Sequence, residues 1–367
     1  MTTPATDAGQ APPRRRGAFH RLRVAAVERL CDDAVAVTFD VPDHLAEEYA
    51  FAPGQSLTLR REVDGVEERR SYSICAPVGE APRVGVRLVS GGLFSGWLVN
   101  EVRPGDEVEV GAPTGRFSPD LDTAARHVMI AAGSGITPML SMASSLLRRT
   151  GSHVTLLYGN RRSDTVMFAD DVADLKDAFG HRFELVHVLS REPRETELFT
   201  GRLDAEKLEA LLDTVVAADA ADHWWLCGPY GMVTDAQEVL AGRGVPADRI
   251  HQELFFVEGT EPPPQARHEE PGVEGPSSEV TVVLDGRTST LTLPRGVPVL
   301  DGAQRYRPDL PFACKGGVCG TCRVRVCEGE VRMLRNYALS DAEVEAGYAL
   351  SCQAIPETDA VTVDFDS

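Results

Sequence analysis

No apolar run in the 367-residue sequence approaches the roughly 20 residues that a membrane-spanning helix requires. The N-terminal stretch MTTPATDAGQAPPRRRGAF has basic residues but no apolar segment after them, so it does not indicate a secretory signal. Without an export signal, eight cysteines favour metal or redox chemistry over disulfides. We therefore expect a cytoplasmic protein with no membrane partner, in which residues 1–17 form a flexible tail.

Positive charge is also scarce. The chain has 37 Lys and Arg residues against 56 Asp and Glu, a formal net charge of -19 at pH 7. This balance argues against nucleic acid or an anionic membrane as a partner, although solubility alone explains it equally well. Hydrophobic residues make up 43% of the chain, which is ordinary for globular proteins, and the length favours two or three domains.

Residues 18–120 have the pattern of a β domain. HRLRVAAVERL and AVAVTFDV are rich in β-branched residues, and Asp64-Gly65 separates two extended arms, which is a strong hairpin signal. Short strands separated by turn residues predict an antiparallel β-barrel or sandwich.

Residues 121–256 alternate between apolar strands and amphipathic helices. The run HVMIAAGSG is followed by ITPMLSMASSLLRRTG, where we expect Thr137 at the helix N-cap and Pro138 at the first helical position. Further strand and helix patterns follow as far as HQELFF. This alternation predicts an α/β domain with a doubly wound parallel sheet.

A stretch rich in Pro, Glu and Gly without periodicity follows, and residues 257–278 are expected to form a linker. Residues 279–367 begin with another hairpin pattern, which turns at Asp285-Gly286, and then carry the densest group of cysteines. The sequence therefore predicts three domains.

Cys314, Cys319 and Cys322 are spaced C-x4-C-x2-C, and Cys352 follows much later in ALSCQAIP. Three thiols in a glycine-rich loop with a distant fourth are typical of a plant-type [2Fe–2S] cluster, whose irons are held by four thiolates. A zinc site is the main alternative, although zinc ligands usually come as paired C-x2-C or Cys/His sets. A redox-sensing group of thiols is a further alternative.

Two glycine turns in the second domain indicate a dinucleotide site. Gly133 and Gly135 stand between a strand and a helix, where backbone N–H groups and a helix N-terminus can bind a pyrophosphate. The order G-x-G-x-T-P lacks the G-x-G-x-x-G fingerprint. The second turn, LCGPYGM, has Cys227 and Gly228 at its tip.

Arginines after the second strand of this domain bear on coenzyme choice. In YGNRRSD, Arg161 and Arg162 stand where an arginine can accommodate the 2'-phosphate of NADPH, whereas an acidic residue would bind the ribose of NADH. The pattern favours NADPH, although two surface arginines would look the same.

The β domain contains two patterns that suit a flavin. In RRSYSI, alternation along a strand sends Arg70 and Tyr72 to one face and Ser73 to the other, which pairs an aromatic ring with a cation. In GGLFSGWL, glycines and Ser95 stand at a helix start, a second candidate anion site. Each pattern alone is also compatible with a simple turn or cap.

Taken together, these motifs resemble the ferredoxin–NADP reductase superfamily fused to a C-terminal plant-type ferredoxin. The resemblance rests on FAPGQ, RSYS, GGLFS, GSGITPM, CGPYGM and HQELFF, followed by the cysteine pattern. Within the superfamily the chain is most similar to reductase subunits of phenylacetyl-CoA epoxidases, on the strength of LPFACKGGVCGTC and VRMLRNYALSDAEVEAGYALSCQA.

This resemblance implies an FAD-binding barrel, an NADPH-binding α/β domain and a β-grasp [2Fe–2S] domain. It assigns to FAD the residues Arg70, Tyr72, Ser73, Gly92, Leu93, Phe94, Ser95, Thr137 and Phe255. It assigns to NADPH the residues Gly133, Gly135, Arg161, Arg162 and Gly228, and to catalysis Ser73, Cys227 and Glu253. The implied cluster ligands are Cys314, Cys319, Cys322 and Cys352.

The resemblance further implies electron flow from NADPH through FAD and the cluster to a separate diiron oxygenase that epoxidises phenylacetyl-CoA. No pair of helices in the sequence carries the E-x-x-H pattern of a diiron site, so the oxygen chemistry is expected on another chain. Two alternatives remain open. One is a reductase for another oxygenase, such as a steroid or aromatic-ring hydroxylase; the other is a redox-sensing, metal-binding module.

Overall fold

The computed structural model describes residues 18–63, 65–216, 221–255 and 276–367. The predicted tail and most of the predicted linker lie outside these residues. One boundary differs from the prediction, because the first strand of the third domain begins at Ser277. Ser278 pairs with Leu293 across a hairpin, so residues 277 and 278 belong to this domain's sheet and not to the linker.

The first domain is an antiparallel sheet with one helix. Within the described residues its elements are β1 Phe19–Cys31, β2 Ala34–Asp40, β3 Ser56–Val63, β4 Val66–Ser73, β5 Arg83–Arg87, α1 Leu93–Asn100 and β6 Glu107–Gly111. The strand order is β4-β3-β6-β1-β2-β5, and a bridge between Ile74 and Val84 joins the two edges. Of the two architectures that the sequence allows, the structure adopts the barrel.

The first predicted hairpin is confirmed by its strand register. Val63 pairs with Val66, and Gly65 has a φ of 77°, a left-handed conformation that glycine adopts without steric cost. Asp64 lies outside the described residues. The turn therefore sets the register that carries Arg70, Tyr72 and Ser73.

The second domain is a parallel sheet between two helical layers. Its described elements are β7 Arg126–Ala132, α2 Ile136–Arg149, β8 His153–Asn160, α3 Ala169–Phe179, β9 Phe183–Leu189, α4 Ala205–Thr214, β10 His223–Gly228, α5 Tyr230–Gly242 and β11 Ile250–Leu254. The strand order β11-β10-β7-β8-β9 is that of a doubly wound sheet, as predicted. One apolar core includes residues of α2 and α3, and another includes residues of α4 and α5.

The predicted N-cap of α2 is wrong by two residues. Gly133–Gly135 form a 3-10 turn that already brings the chain into helical conformation, so Gly135 caps the helix and Ile136 begins it. The Thr137 hydroxyl donates back to the Ser134 carbonyl, at 3.0 Å, from within the first turn. Thr137 is therefore a buried helical residue.

The third domain combines a mixed sheet with short helices. Among the described residues its elements are β12 Ser277–Leu284, β13 Arg287–Pro294, α6 Val299–Ala303, β14 Arg323–Glu328, β15 Val331–Met333, α7 Asp341–Glu345, β16 Tyr348–Leu350, β17 Ala354–Pro356 and β18 Ala360–Asp364. The main sheet has the order β13-β12-β18-β14-β16. Asp285 and Gly286 both have positive φ, as the predicted two-residue hairpin turn requires.

No helix in the described part of the chain is long and apolar enough to cross a membrane.

Candidate cofactor sites

The two glycine turns of the second domain meet at the carboxyl ends of β7 and β10. Ala131 pairs with Cys227 in the parallel register. A Cβ atom added to Gly135 would lie 2.0 Å from the Cys227 carbonyl oxygen, and one added to Gly228 would lie 3.2 Å from the Ala132 nitrogen. The turns pack so closely that Gly135 leaves no room for a side chain, and they lie together at the N-terminus of α2, where we place the candidate dinucleotide cleft.

The three residues predicted to be catalytic lie together at the junction of two domains. Parallel pairing of β10 and β11 puts Glu253 opposite Cys227. The Ser73 hydroxyl, which comes from β4 of the barrel, donates to Glu253 Oε2 at 3.1 Å. A residue of the barrel therefore binds the carboxylate that lies beside the dinucleotide cleft.

Burial changes the protonation of this junction. It raises the pKa of Glu253 from 4.5 to about 7, against the opposing effect of the Ser73 hydrogen bond. Burial, with a smaller contribution from Glu253, also raises the pKa of Cys227 well above its ordinary value. Cys227 is therefore a neutral thiol at physiological pH, whereas Glu253 can take up or release a proton there.

Glu253→Gln is expected to remove a pH dependence of stability. Because the pKa of Glu253 is higher in the folded state than in the unfolded state, its contribution is fully favourable below about pH 4.5 and is lost as the pH rises through about 7. The loss in wild type reaches at most about 3 kcal/mol, the free energy that corresponds to the difference between the two pKa values. Thermal melts between about pH 5 and pH 8 measure this difference. The melting temperatures of the two proteins should be similar near pH 5, and that of the variant should be higher near pH 8.

A suitable control is Glu238→Gln, which removes an exposed carboxylate from α5. It should melt in parallel with wild type at every pH. A Glu253→Gln variant that also follows wild type throughout would contradict the raised pKa.

The predicted flavin strand, β4, brings its functional residues to the barrel edge. Tyr72 pairs with Leu57, and its ring centroid lies 6.2 Å from that of buried Phe94 in α1. Burial raises the pKa of the Tyr72 phenol, which stays protonated. The Arg70 guanidinium lies 2.8 Å from Glu68 and remains 48% exposed, so it can still reach a ligand phosphate. Strand β4 and helix α1 therefore place the aromatic rings of Tyr72 and Phe94 beside the Arg70 guanidinium.

The start of α1 is a candidate anion site formed by backbone groups. Gly92 is the N-cap, and Leu93, the first helical residue, is exposed. The Ser95 hydroxyl is buried and accepts a hydrogen bond from the Val89 N–H at 3.1 Å. This hydroxyl therefore stabilises the preceding turn, and the N–H groups at the helix start are the donors that face solvent.

Phe255 follows directly on β11 and is 37% exposed. An exposed ring two residues after Glu253 is compatible with the predicted contact to a flavin, which stays a prediction.

Arginines follow the carboxyl ends of two neighbouring parallel strands, on the same edge of the sheet as the glycine turns. Arg161 and Arg162 follow β8, and Arg191 follows β9 with its N–H donating to the Arg161 carbonyl at 2.8 Å. Arg162 forms an ion pair with Asp164 at 3.0 Å. Arg161 and Arg191 form no ion pair with any residue in the described ranges. Sequence reasoning missed Arg191, although the carboxyl ends of neighbouring parallel strands always meet at one edge.

A second arginine that sequence reasoning missed comes from the barrel. The Arg87 guanidinium on β5 lies near the glycine loop, since a Cβ atom on Gly133 would be 3.3 Å from its Nη1. No local sequence signal distinguishes it, because it reaches the loop across a domain boundary.

The four predicted cluster ligands form two neighbouring pairs. The Cys314 thiol lies close to the Cys319 thiol, and the Cys322 thiol lies close to the Cys352 thiol. The second pair is buried in the core of the third domain. Within the described residues, no three His, Cys, Asp or Glu side chains surround a single-ion position. The third domain therefore brings together four thiols in the spacing typical of a plant-type [2Fe–2S] cluster.

The loop around these thiols presents N–H groups to sulfur. The Gly316 N–H donates to Cys314 Sγ at 3.3 Å. This and other donors to the sulfur, chiefly the Cys319 thiol, lower the pKa of Cys314. Gly317 and Gly320 adopt positive φ, and a Cβ atom on Gly317 would lie 3.2 Å from the Arg335 carbonyl oxygen. Glycine therefore lets the loop curl tightly around its sulfur atoms, as a cluster site requires.

Comparison with known proteins adds three family matches in chain order. An oxidoreductase FAD-binding domain matches residues 21–118, an oxidoreductase NAD-binding domain residues 129–238, and a 2Fe-2S iron-sulfur cluster binding domain residues 282–357. Each match contains the corresponding set of candidate residues with three exceptions. Thr137, which was assigned to FAD, lies in the NAD-binding match, and Glu253 and Phe255 lie beyond that match.

Curated relatives match over nearly the full length. One of the subunits of the 1,2-phenylacetyl-CoA epoxidase from Escherichia coli K12 is 43% identical over 95% of this chain and 98% of its own. The ferredoxin reductase component of 3-ketosteroid-9-alpha-monooxygenase from Rhodococcus rhodochrous is 33% identical over 94% and 96%. Among solved structures, phthalate dioxygenase reductase has a TM-score of 0.57 at 23% identity over 95% and 98%, which supports the shared fold.

Proposed function

Because this chain belongs to the ferredoxin–NADP reductase superfamily and carries a plant-type ferredoxin domain, we propose that it transfers electrons from NADPH to a separate diiron oxygenase that epoxidises phenylacetyl-CoA. The observation that carries this proposal is the near full-length similarity to a component of the Escherichia coli epoxidase. FAD, when bound, accepts the two electrons of a hydride together and passes them singly to a [2Fe–2S] cluster.

The protein's own groups have distinct tasks in this proposal. The glycine turns bind the NADPH pyrophosphate and bring the nicotinamide towards Cys227. Ser73 and Glu253 hold a protonatable carboxyl group between the coenzyme and the barrel. Arg70 and Tyr72 orient the flavin, and the four cysteine thiolates hold the cluster.

The state of the cysteines bears on where the protein works. All eight lie within the described residues, and all are free thiols. Free thiols are the rule where glutathione and thioredoxin keep cysteines reduced, and we propose the cytoplasm as the location.

The proposal is tested first by an absorbance spectrum of the purified protein before and after anaerobic NADPH. Flavin and iron–sulfur bands that both bleach would support the complete electron path, and iron and sulfide analysis would establish the cluster content. Steady NADPH consumption with ferricyanide would exclude a non-enzymatic redox sensor. Absence of both bands from iron- and flavin-replete protein would overturn the proposal.

The partner is tested by reconstitution. The protein should support product formation by the oxygenase components of a phenylacetyl-CoA epoxidase and not by those of a 3-ketosteroid-9-alpha-monooxygenase. The latter is the second candidate because the Rhodococcus rhodochrous reductase is also similar over nearly its whole length. The reverse preference would identify the steroid system.

Coenzyme choice depends, in our proposal, on Arg161 together with Arg191. Arg161→Glu is expected to weaken NADPH binding by about 10- to 100-fold, because a charge-assisted contact to the 2'-phosphate contributes about 1.5–3 kcal/mol. NADH binding should change little, and binding titrations with both coenzymes measure the difference. Arg162→Glu is the matched comparison and should have a smaller effect, since Arg162 already pairs with Asp164. Equal loss of NADPH and NADH binding in Arg161→Glu would contradict the assignment.

A further inference from the structure

The ferredoxin domain packs against both other domains through the region that holds its cysteine loop. Val318, within the loop, and Tyr337 pack on the apolar core that includes α4 and α5 of the second domain. The Tyr337 ring meets Tyr230, at the start of α5, edge-on with 5.6 Å between centroids. Arg116 at the end of the barrel forms an ion pair with Glu343 of α7. One contact to the barrel differs from these because it is deeply buried.

That contact is Arg69 of β4. Its guanidinium donates to the carbonyl oxygens of Leu310 and Pro308, both at 3.3 Å, and stacks over the Phe312 ring with 4.1 Å to the centroid. The side chain is only 4% exposed. Its three partners in the third domain lie within the segment that leads directly into Cys314, the first cluster ligand.

Arg69 also belongs to the flavin strand. It directly precedes Arg70, whose guanidinium donates to the Arg69 carbonyl oxygen at 2.7 Å. The carboxylate of Glu67 on the same strand lies 2.6 Å from the Arg69 guanidinium. The side chain of Arg69 therefore binds the segment next to the cluster ligands, whereas only its backbone carbonyl contacts the arginine predicted to bind flavin.

The burial of Arg69 needs a reason, because removing a guanidinium from water is costly unless it is paired and hydrogen-bonded. Burial lowers the pKa of this group, and Glu67 opposes the effect. Two backbone carbonyls and an aromatic face from another domain supply the remaining partners. The guanidinium obtains them only when the ferredoxin domain is docked, so its burial is coupled to docking.

Arg60 on the neighbouring strand shows what the barrel alone provides. It bonds to Glu67 and Glu109 and stacks over Phe19, which Arg69 also faces. Arg60 has no hydrogen bond, ion pair or ring contact with the third domain within the described ranges. The two arginines thus share local surroundings, and only Arg69 reaches the ferredoxin domain.

We propose that Arg69 is a positioning residue that holds the segment before Cys314 against the flavin strand and thereby sets the approach of cluster and flavin within one chain. This inference rests on the proposed function and adds no chemical step to it. Arg69 acts through Leu310, Pro308 and Phe312 and is not assigned a contact with either cofactor.

The test compares Arg69→Gln with Arg60→Gln in the full-length, cofactor-loaded protein. Arg69→Gln should keep wild-type FAD, iron and sulfide contents and a wild-type rate of ferricyanide reduction. Cluster reduction after rapid mixing with NADPH should slow by at least about tenfold, because the docked arrangement is less populated once this buried contact is lost. Small-angle scattering should show a larger radius of gyration. Arg60→Gln should match wild type in all of these measurements.

The radius of gyration reports domain docking independently of any activity measurement. Arg69→Gln that reduces its cluster at the wild-type rate and scatters like wild type would overturn the proposal. Loss of FAD from Arg69→Gln would also overturn it, because the residue would then support the barrel or flavin itself. If Arg69→Gln fails to fold, Phe312→Leu tests the same contact by removing the ring on which Arg69 stacks. This variant should also slow cluster reduction and increase the radius of gyration.

Failure of the proposed function looks different. In that case wild type itself would not reduce its cluster with NADPH, whereas the scattering comparison of Arg69→Gln with Arg60→Gln would still report whether Arg69 docks the ferredoxin domain.

Discussion

Cys322→Ser is expected to abolish electron delivery to the oxygenase while leaving reduction of ferricyanide by NADPH at close to the wild-type rate. Cys322 is buried in the third domain beside Cys352, and a serine hydroxyl is a poor substitute for a thiolate at iron. The apolar core that holds Cys322 and Cys352 consists only of third-domain residues, so the barrel and the second domain should keep their fold and coenzyme site without the cluster. Iron and sulfide analysis, oxygenase reconstitution and the ferricyanide assay measure the three parts of this result.

Cys327→Ser is the matched control, because Cys327 is exposed on β14 and lies outside the ligand spacing. It should retain the cluster and full electron delivery. Wild-type iron and sulfide contents in Cys322→Ser would show that the cluster assignment is wrong. Loss of ferricyanide reduction from a folded Cys322→Ser protein would show that the domains do not work independently.

Gly135→Ala is expected to reduce NADPH-dependent activity with every acceptor by about 10- to 100-fold, because overpacking typically costs about 1–3 kcal/mol. The added Cβ atom would lie 2.0 Å from the Cys227 carbonyl oxygen, so the glycine turn has to move away from β10. Because we propose that this turn binds the pyrophosphate, NADPH affinity should fall with it. Steady-state ferricyanide reduction and NADPH titration measure the effect, and dithionite should still bleach both cofactors.

Gly231→Ala provides the control, since no atom of the described residues lies within 4 Å of a Cβ atom at this position in α5. Alanine there should leave NADPH affinity unchanged and, as the better helix former, should not lower stability. A Gly135→Ala protein with normal NADPH affinity would contradict the close packing of the two turns.

Local patterns in the sequence predicted the elements that carry the sites. Two Asp-Gly turns predicted both hairpins, and β/α alternation predicted the doubly wound sheet. The C-x4-C-x2-C spacing predicted a loop that gathers three thiols. These predictions succeed because turn geometry and strand or helix periodicity depend on residues that are close in the chain.

Other predictions failed or were not made, either because a competing local turn decides the outcome or because residues from distant segments do. Thr137 has the chemistry of an N-cap, but the glycine turn before it starts the helix two residues earlier. Arg191 and Arg87 stand in unremarkable sequence, and only the alignment of strand ends and domains brings them to the dinucleotide cleft.

The sequence by itself determined the order of the three domains, the local turns and the ligand spacing, because each is encoded within a short segment. Only the tertiary structure decided that Ser73 binds Glu253, 180 positions away, and that Arg69 binds the Leu310 carbonyl, 241 positions away. Such contacts depend on how separately folded units pack against each other. That packing depends on surface shape, burial and hydrogen-bond partners from distant segments, which no local pattern of residues records.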